Sequence, residues 1–103
     1  FSDIAVKTNI KVIPNALEKV SKISGYTFER TDYTPDEEGV MPEVKQTGVI
    51  AQEVEKVLPE AVSGEEGTKA VAYGNMVGLL IEAIKELKGE VDDLKEQLSQ
   101  KEE

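Results

Sequence analysis

The sequence predicts an α+β protein in which a small domain of short strands and helices, residues 1–74, precedes a long C-terminal helix, residues 75–103. Apolar residues recur at alternating spacings of three and four along the last third of the chain, as in a coiled coil. Before them, short apolar segments alternate with turns that contain Gly or Pro. At 103 residues the chain is near the lower limit for a self-sufficient core, which favours assembly.

The heptad seam is the strongest pattern in the sequence. Apolar side chains fill every a and d position over three heptads of a helix that would be roughly 39 Å long. Up to residue 87 this stripe could simply lie on the chain's own domain. Beyond Gly89 almost every residue outside the apolar stripe is charged. Because the stripe has no other apolar surface to pack on there, a coiled coil with copies of the same chain is the better interpretation. The heptad seam consists of Val77, Leu80, Ile84, Leu87, Val91, Leu94 and Leu98.

The residues alone do not decide how many helices form the coiled coil. β-branched residues at a with Leu at d favour two strands. In contrast, Leu79, Ile81 and Ala83 widen the apolar face, which suits three or more helices, or a helix that also packs on its own domain. Glu90 at a g position and Lys95 at the following e position can pair between parallel helices.

Composition excludes several kinds of chemistry. The chain has no Cys and no His, which excludes disulfides, thiolate catalysis, a Ser-His pair and an ordinary zinc site. The net charge is −9, and this excess of negative charge disfavours nucleic acid and anionic membranes as partners. No apolar run approaches the length of a membrane span, and no signal peptide is visible. We therefore expect no cofactor, no metal and no membrane partner.

The first third of the chain predicts three elements. Residues 1–11 alternate apolar and polar side chains, which indicates a short strand or extended chain. Apolar residues then recur at helical spacing over residues 13–24, with Pro14 in the first turn and Gly25 where a helix commonly ends. Residues 25–31 are rich in aromatic and β-branched side chains, which is typical of a strand.

The middle of the chain predicts a hairpin followed by a helix. Residues 32–43 have the composition of a loop, and residues 44–50 form a strand that returns beside the first. The next helix runs to Leu58, where Pro59 stops it. Its buried side is Val54, Val57 and Leu58.

Two short strands, residues 60–63 and 69–73, surround a turn-rich segment and lead to Asn75, a candidate N-cap of the long helix. The acidic pairs in the loops, at residues 37–38 and 65–66, lack the ligand spacing of a calcium loop. They are interpreted as solvated turns, so no metal ligand is assigned.

Three stretches together resemble a known family. They read SDIAVKTNI from Ser2, GVIAQEVEKVLPEAV from Gly48 and LLIEAIKEL from Leu79. The chain resembles the C-terminal intramolecular chaperone domain of phage endosialidase tail spikes, a domain also found on other phage tail fibres and in a eukaryotic membrane-bound transcription factor. The resemblance spans nearly the whole chain, and its middle motif is fifteen ungapped residues.

The resemblance implies a homotrimer, with the long helices forming a trimeric coiled coil despite the two-strand preference of the seam. It implies a domain that assists folding of the upstream fibre or spike in the host cytoplasm during virion assembly and then releases itself. The cleavage site would lie between Phe1 and Ser2, with Ser2 as nucleophile and Lys7 as base. Ile4, Ala5 and Val6 are apolar where family members often carry a basic residue.

Chemistry sets conditions on this Ser/Lys dyad. A serine hydroxyl needs a base, and only a neutral lysine can act as one. At the reference pKa of lysine, roughly one side chain in 2,500 is neutral at pH 7, although burial or a nearby cation lowers that pKa. Residues five apart cannot meet on one regular strand or helix. The chain must therefore bend between Ser2 and Lys7, or Lys7 must reach Ser2 of another protomer.

Supporting residues and alternative functions remain open. Asp3 is a candidate for orienting the dyad, and a backbone cap is the equally good alternative. Gln52 and Glu53 are candidate oxyanion or orienting groups, or simply solvent-facing helix residues. A passive trimerisation module that stays attached is the main alternative function. A peptidase acting on other proteins has little support, because the sequence predicts no substrate groove.

Overall fold

The computed structural model describes residues 2–102 and has the predicted α+β architecture. Two 3₁₀ turns, Ile4–Val6 and Pro59–Ala61, accompany the regular elements. The first part of the chain contains short elements only, and the last 30 residues of the described chain form one helix. In chain order the elements are α1 (Ala16–Ser21), β1 (Tyr26–Glu29), β2 (Lys45–Gly48), α2 (Ala51–Val57), β3 (Val62–Ser63), β4 (Ala70–Val71) and α3 (Tyr73–Glu102).

Both pairs of strands are antiparallel hairpins. β1 pairs with β2 in a register that sets Tyr26 opposite Gly48 and Glu29 opposite Lys45. This confirms the predicted returning strand and the long loop between the two. β3 pairs with β4 over two residues on each side. Since each sheet has two strands, which alone are marginally stable in water, the helices must supply the core.

The core lies between α1, α2 and the first half of α3. Its residues are almost entirely apolar and none is more than 6% exposed. On α2 the prediction is confirmed, since Val54 and Leu58 are buried and Val57 packs against the cluster at partial exposure. On α3 the buried face is not the heptad seam but an adjacent stripe. The core consists of Ala16, Val54, Leu58, Ala61, Met76, Leu79 and Ala83.

Glu86 of α3 caps the start of α1 across the core. Asn15, the residue before α1, has a left-handed backbone and its side chain makes no capping hydrogen bond. Instead, the Glu86 carboxylate accepts hydrogen bonds from the backbone N–H of Ala16 at 2.7 Å and of Leu17 at 3.1 Å. A negative group there satisfies two otherwise unpaired donors and lies at the positive end of the helix. One side chain therefore fixes α1 on α3.

Replacing Glu86 with Ala should lower the free energy of unfolding by about 1–3 kcal/mol, since two part-buried backbone donors lose a charged acceptor. Glu86→Gln is the matched control, because the amide keeps one acceptor oxygen and should lose less. Urea unfolding followed by circular dichroism, at one fixed protein concentration, measures both variants. Equal losses for the two variants would contradict the capping role.

The start of α3 differs from the prediction. The helix begins at Tyr73, two residues before Asn75, so the assignment of Asn75 as N-cap is wrong. The backbone N–H of Asn75 donates to the carbonyl oxygen of Ala72 at 3.0 Å, which places Asn75 within the first turn. Because β4 runs almost directly into α3, the turn forms before the residue whose side chain prefers a cap.

The first 25 residues also depart from the prediction. α1 is shorter than expected, since Pro14 precedes the helix and Lys22 ends it. Gly25 does not have a positive φ, so it is not the C′ residue of α1. The segment expected to be a short strand contains the 3₁₀ turn Ile4–Val6 instead. A local side-chain cap from Asp3 outweighs the weak alternation of apolar residues there.

Candidate cleavage site and assembly surface

A capped turn bends the chain immediately after Ser2. The Asp3 carboxylate accepts a hydrogen bond from the backbone N–H of Ala5 at 2.9 Å. The N–H of Val6 donates to the Asp3 carbonyl oxygen at 3.2 Å, and that of Lys7 to the Ile4 carbonyl oxygen at 3.1 Å. These three bonds close a single turn of 3₁₀ helix.

The turn brings the two dyad residues together within one chain. Lys7 Nζ lies 3.3 Å from Ser2 Oγ, within reach of a proton transfer after slight tightening. Of the two arrangements left open by the sequence, the structure has the bend. Phe1, the other side of the predicted cleavage site, lies outside the described residues.

The three predicted supporting residues make other contacts. Asp3 acts as the backbone cap described above. Gln52 donates to the Glu66 carboxylate at 3.1 Å. Glu53 accepts from the backbone N–H of Ser24 at 3.3 Å and from the Tyr26 hydroxyl at 2.7 Å. Within the part of the chain that the structure describes, none of the three hydrogen-bonds to Ser2 or Lys7.

Glu53 instead ties α2 to the start of β1. The hydrogen bond from Tyr26 raises the pKa of the Tyr26 hydroxyl, because the neutral phenol is the form that can donate to the carboxylate. Sequence reasoning missed this contact and the Glu86 cap, whose partners are 27 and about 70 residues apart. Glu53 and Glu86 each lie on a helix with residues of both charges, and nothing in their local sequence indicates a hydrogen-bond partner so far along the chain.

The dyad lies on an exposed N-terminal arm, residues 2–12. Every residue of the arm is exposed in the single chain. Its four large apolar side chains are 64–74% exposed, which is more than almost any other apolar group in the protein. They are Ile4, Val6, Ile10 and Val12. Water therefore reaches Ser2 and Lys7 freely in the single chain.

The heptad seam is the second large uncovered apolar surface. Its seven side chains are 41–66% exposed, although α3 buries an adjacent stripe in its own domain. After Glu86 every described side chain of α3 up to residue 101 is exposed, so no part of the described domain covers that half of the helix. Glu90 and Lys95 make no ion pair with another side chain among residues 2–101.

Fold and site together define a small α+β domain with a Ser/Lys pair at its beginning and an uncovered helical stripe at its end. Comparison with known families matches residues 2–63 to the model described as chaperone of endosialidase, so the chain belongs to that family of chaperones, which is classed among peptidases. The resemblance in the sequence is thereby confirmed.

Curated relatives are phage fibre proteins. The chain is 42% identical over 88 residues to the long tail fiber protein Gp37 of Escherichia phage AR1, covering 82% of this chain and 8% of that protein. It is 40% identical over 99 residues to the protein of the same name from Enterobacteria phage Ox2, covering 91% of this chain and 38% of that protein. The chain thus spans a minor part of each relative's length. No helix among the described residues is long and apolar enough to cross a membrane.

Proposed function

We propose that this chain is a trimeric intramolecular chaperone, which assists folding of an upstream phage tail fibre or spike in the host cytoplasm and then cuts itself off between Phe1 and Ser2. The observation that carries the proposal is the 3.3 Å contact of Lys7 Nζ with Ser2 Oγ on a turn made by the motif itself. Membership of the chaperone family and similarity to tail fibre proteins support the role in assembly.

The proposed cleavage proceeds in two steps. Neutral Lys7 takes the proton of Ser2 Oγ, the oxygen attacks the Phe1 carbonyl carbon, and the Phe1–Ser2 peptide bond breaks as Lys7 returns the proton to the Ser2 nitrogen. An ester between Phe1 and Ser2 Oγ results. Water then attacks this ester, with Lys7 again accepting and returning a proton. The products are a carboxyl group at Phe1 and a free amine and hydroxyl at Ser2, with one water consumed.

Assembly is proposed to activate the dyad. Lys7 is exposed in the single chain and must lose its proton to act as a base. Burial of the N-terminal arm disfavours the charged amine, and the heptad seam provides the surface on which chains can associate. The trimer would therefore change the surroundings of a pair that is already in contact.

The decisive experiment uses a precursor in which the native upstream fibre segment precedes residue 1. On a denaturing gel, the self-cleaving chaperone gives two bands, and the Ser2→Ala precursor gives one. The passive trimerisation module, the second candidate function, gives one band for both. A wild-type precursor that trimerises and stays uncut would therefore favour the passive module.

Asp3 offers a separate test of how the dyad is positioned. Asp3→Ala removes the acceptor that caps the turn, so Lys7 should spend less time near Ser2 and cleavage should slow by about tenfold, which corresponds to a cap worth about 1.4 kcal/mol. Asp3→Asn keeps an acceptor oxygen and should cleave close to the wild-type rate. If Asp3→Asn loses as much as Asp3→Ala, the charge of Asp3 is what matters and the capping role is wrong.

A further inference from the structure

We propose that the N-terminal arm of one protomer packs into an apolar cleft of the neighbouring copy. The occupant of the cleft is thus the arm of a second chain, not of the same chain. This inference rests on the proposed trimer and adds to it where each dyad lies. Three observations support it: the direction of the arm, the position of the cleft, and the order of both around α3.

The arm is anchored at its end but otherwise uncovered. Ile13, directly after the arm, packs against the core and points its Cδ1 at Gly78, at 3.6 Å from the position that a Cβ there would take. The neighbouring Val12 is 70% exposed and Ile10 is 64% exposed, so both face away from the chain's own domain. Four aliphatic side chains on eleven residues are a surface that needs a partner.

An open cleft lies where the end of α1, the end of β2 and the start of α3 meet. Its lining is mostly apolar, and it is open to solvent in the single chain. One of its residues, Leu80, also belongs to the heptad seam, so the cleft is continuous with the surface on which chains are proposed to associate. The apolar side chains that line the cleft are Val20, Ile23, Val49, Tyr73, Met76 and Leu80, and Ser24 lines it as well.

The anchor of the arm and the cleft lie on opposite sides of the heptad seam, which places each arm beside the cleft of a neighbouring protomer. At 100° per residue, Tyr73 and Leu80 lie along the edge of the seam that is nearest the buried stripe of α3. Gly78 lies beyond the opposite edge of the seam. In a parallel coiled coil the e side of one helix faces the g side of the next. The anchor of each arm, next to the e side, therefore faces the cleft of the adjacent protomer, next to the g side.

The distance is within reach of the arm. Helices in contact lie about 8–10 Å apart, and eleven residues span at most about 40 Å when fully extended, from which the turn at Ile4–Val6 takes a part. The docked arm would cover its own apolar side chains and bring the turn with Ser2 and Lys7 against the neighbour. Each dyad would then be contributed by one chain and shielded from water by another, so the site is incomplete without the partner copy.

The absence of Cys makes cross-linking a clean test. Val12→Cys on the arm is combined with Ser24→Cys, an exposed position on the cleft lining, in the full chain. A short bismaleimide should join arm to neighbouring cleft around the ring, so that a denaturing gel shows covalent trimer as the main product. The two single-cysteine variants are the controls and should give no covalent trimer. Ile10→Cys with Ser24→Cys is the second pair, should the first disturb folding.

Sedimentation of the same samples separates the inference from the proposed function. A trimer by mass whose cross-linked product runs as a single chain carrying the linker would show that the arm lies on its own domain, which overturns the inference and leaves the trimer intact. A trimer whose arm cross-links to nothing, or only to the upstream fibre segment of a longer precursor, overturns it as well. A monomer by mass refutes the trimer itself.

Discussion

A precursor carrying Lys7→Arg should not cleave itself, although it should fold and assemble like the wild type. Arg keeps the positive charge and much of the length of Lys but does not lose its proton in a protein, so it cannot take the proton of Ser2. Ser2→Ala should have the same outcome, because an exposed hydroxyl contributes little packing. The fraction of cut precursor, followed over time on a denaturing gel, measures both.

The pH dependence provides the control. Since the neutral amine is the active form of a lysine base, wild-type cleavage should accelerate by about tenfold per pH unit while the amine is mostly charged and should level off once it is mostly neutral. A Lys7→Arg precursor that cleaves at the wild-type rate would rule out the dyad. Sedimentation of each variant must show the wild-type mass, so that loss of cleavage is not a loss of assembly.

Leu87→Asp should dissociate the proposed trimer and stop the proposed cleavage together. Leu87 occupies the centre of the heptad seam and is 48% exposed in the single chain, so a charge there is tolerated by the domain but not between helices. Equilibrium sedimentation at micromolar concentration should give the trimer mass for the wild type and the single-chain mass for the variant. Ser99→Asp, which adds the same charge outside the seam, is the matched control and should change neither property.

Substitutions in the seam that add no charge should weaken the assembly to a smaller extent. Leu87→Ala and Leu94→Ala should each cost about 2–5 kcal/mol per chain, since both side chains are expected to be fully buried between helices in the assembly. Thermal unfolding at fixed concentration measures the loss. If Leu87→Asp leaves the mass and the thermal midpoint unchanged, the seam does not join the chains.

Short-range patterns in the sequence predicted well what depends on neighbours along the chain. Pro59 ended α2 as expected, and Val54 and Leu58 became its buried side. The turn composition of residues 32–43 and the strands on either side of it gave the observed hairpin. Ser2 and Lys7 were named from the family resemblance, and their roles stay a prediction. Elementary geometry required either a bend between them or a second protomer, and the structure has the bend.

Contacts between residues far apart in the sequence could not be predicted from these short-range patterns. The cap of α1 is supplied by Glu86, and β1 is tied to α2 through Glu53, and neither carboxylate differs in sequence from the many solvated ones. Along its second half the heptad seam is exposed, and the expectation that copies of the chain cover it there stays a prediction. In its first half, however, α3 buries Met76, Leu79 and Ala83 against the domain and leaves the seam facing outward, so one helix serves two surfaces.

The turn from Ser2 to Lys7 has a consequence for timing. All groups that form the contact between Ser2 and Lys7 come from six consecutive residues, so the contact order of this site is low. Local turns of this size form within microseconds. Formation of this turn therefore cannot be the step that delays the proposed cut. In the proposed trimer the slow step would be the encounter of three chains, which depends on their concentration. Release of the domain would then report that a complete fibre end has been assembled.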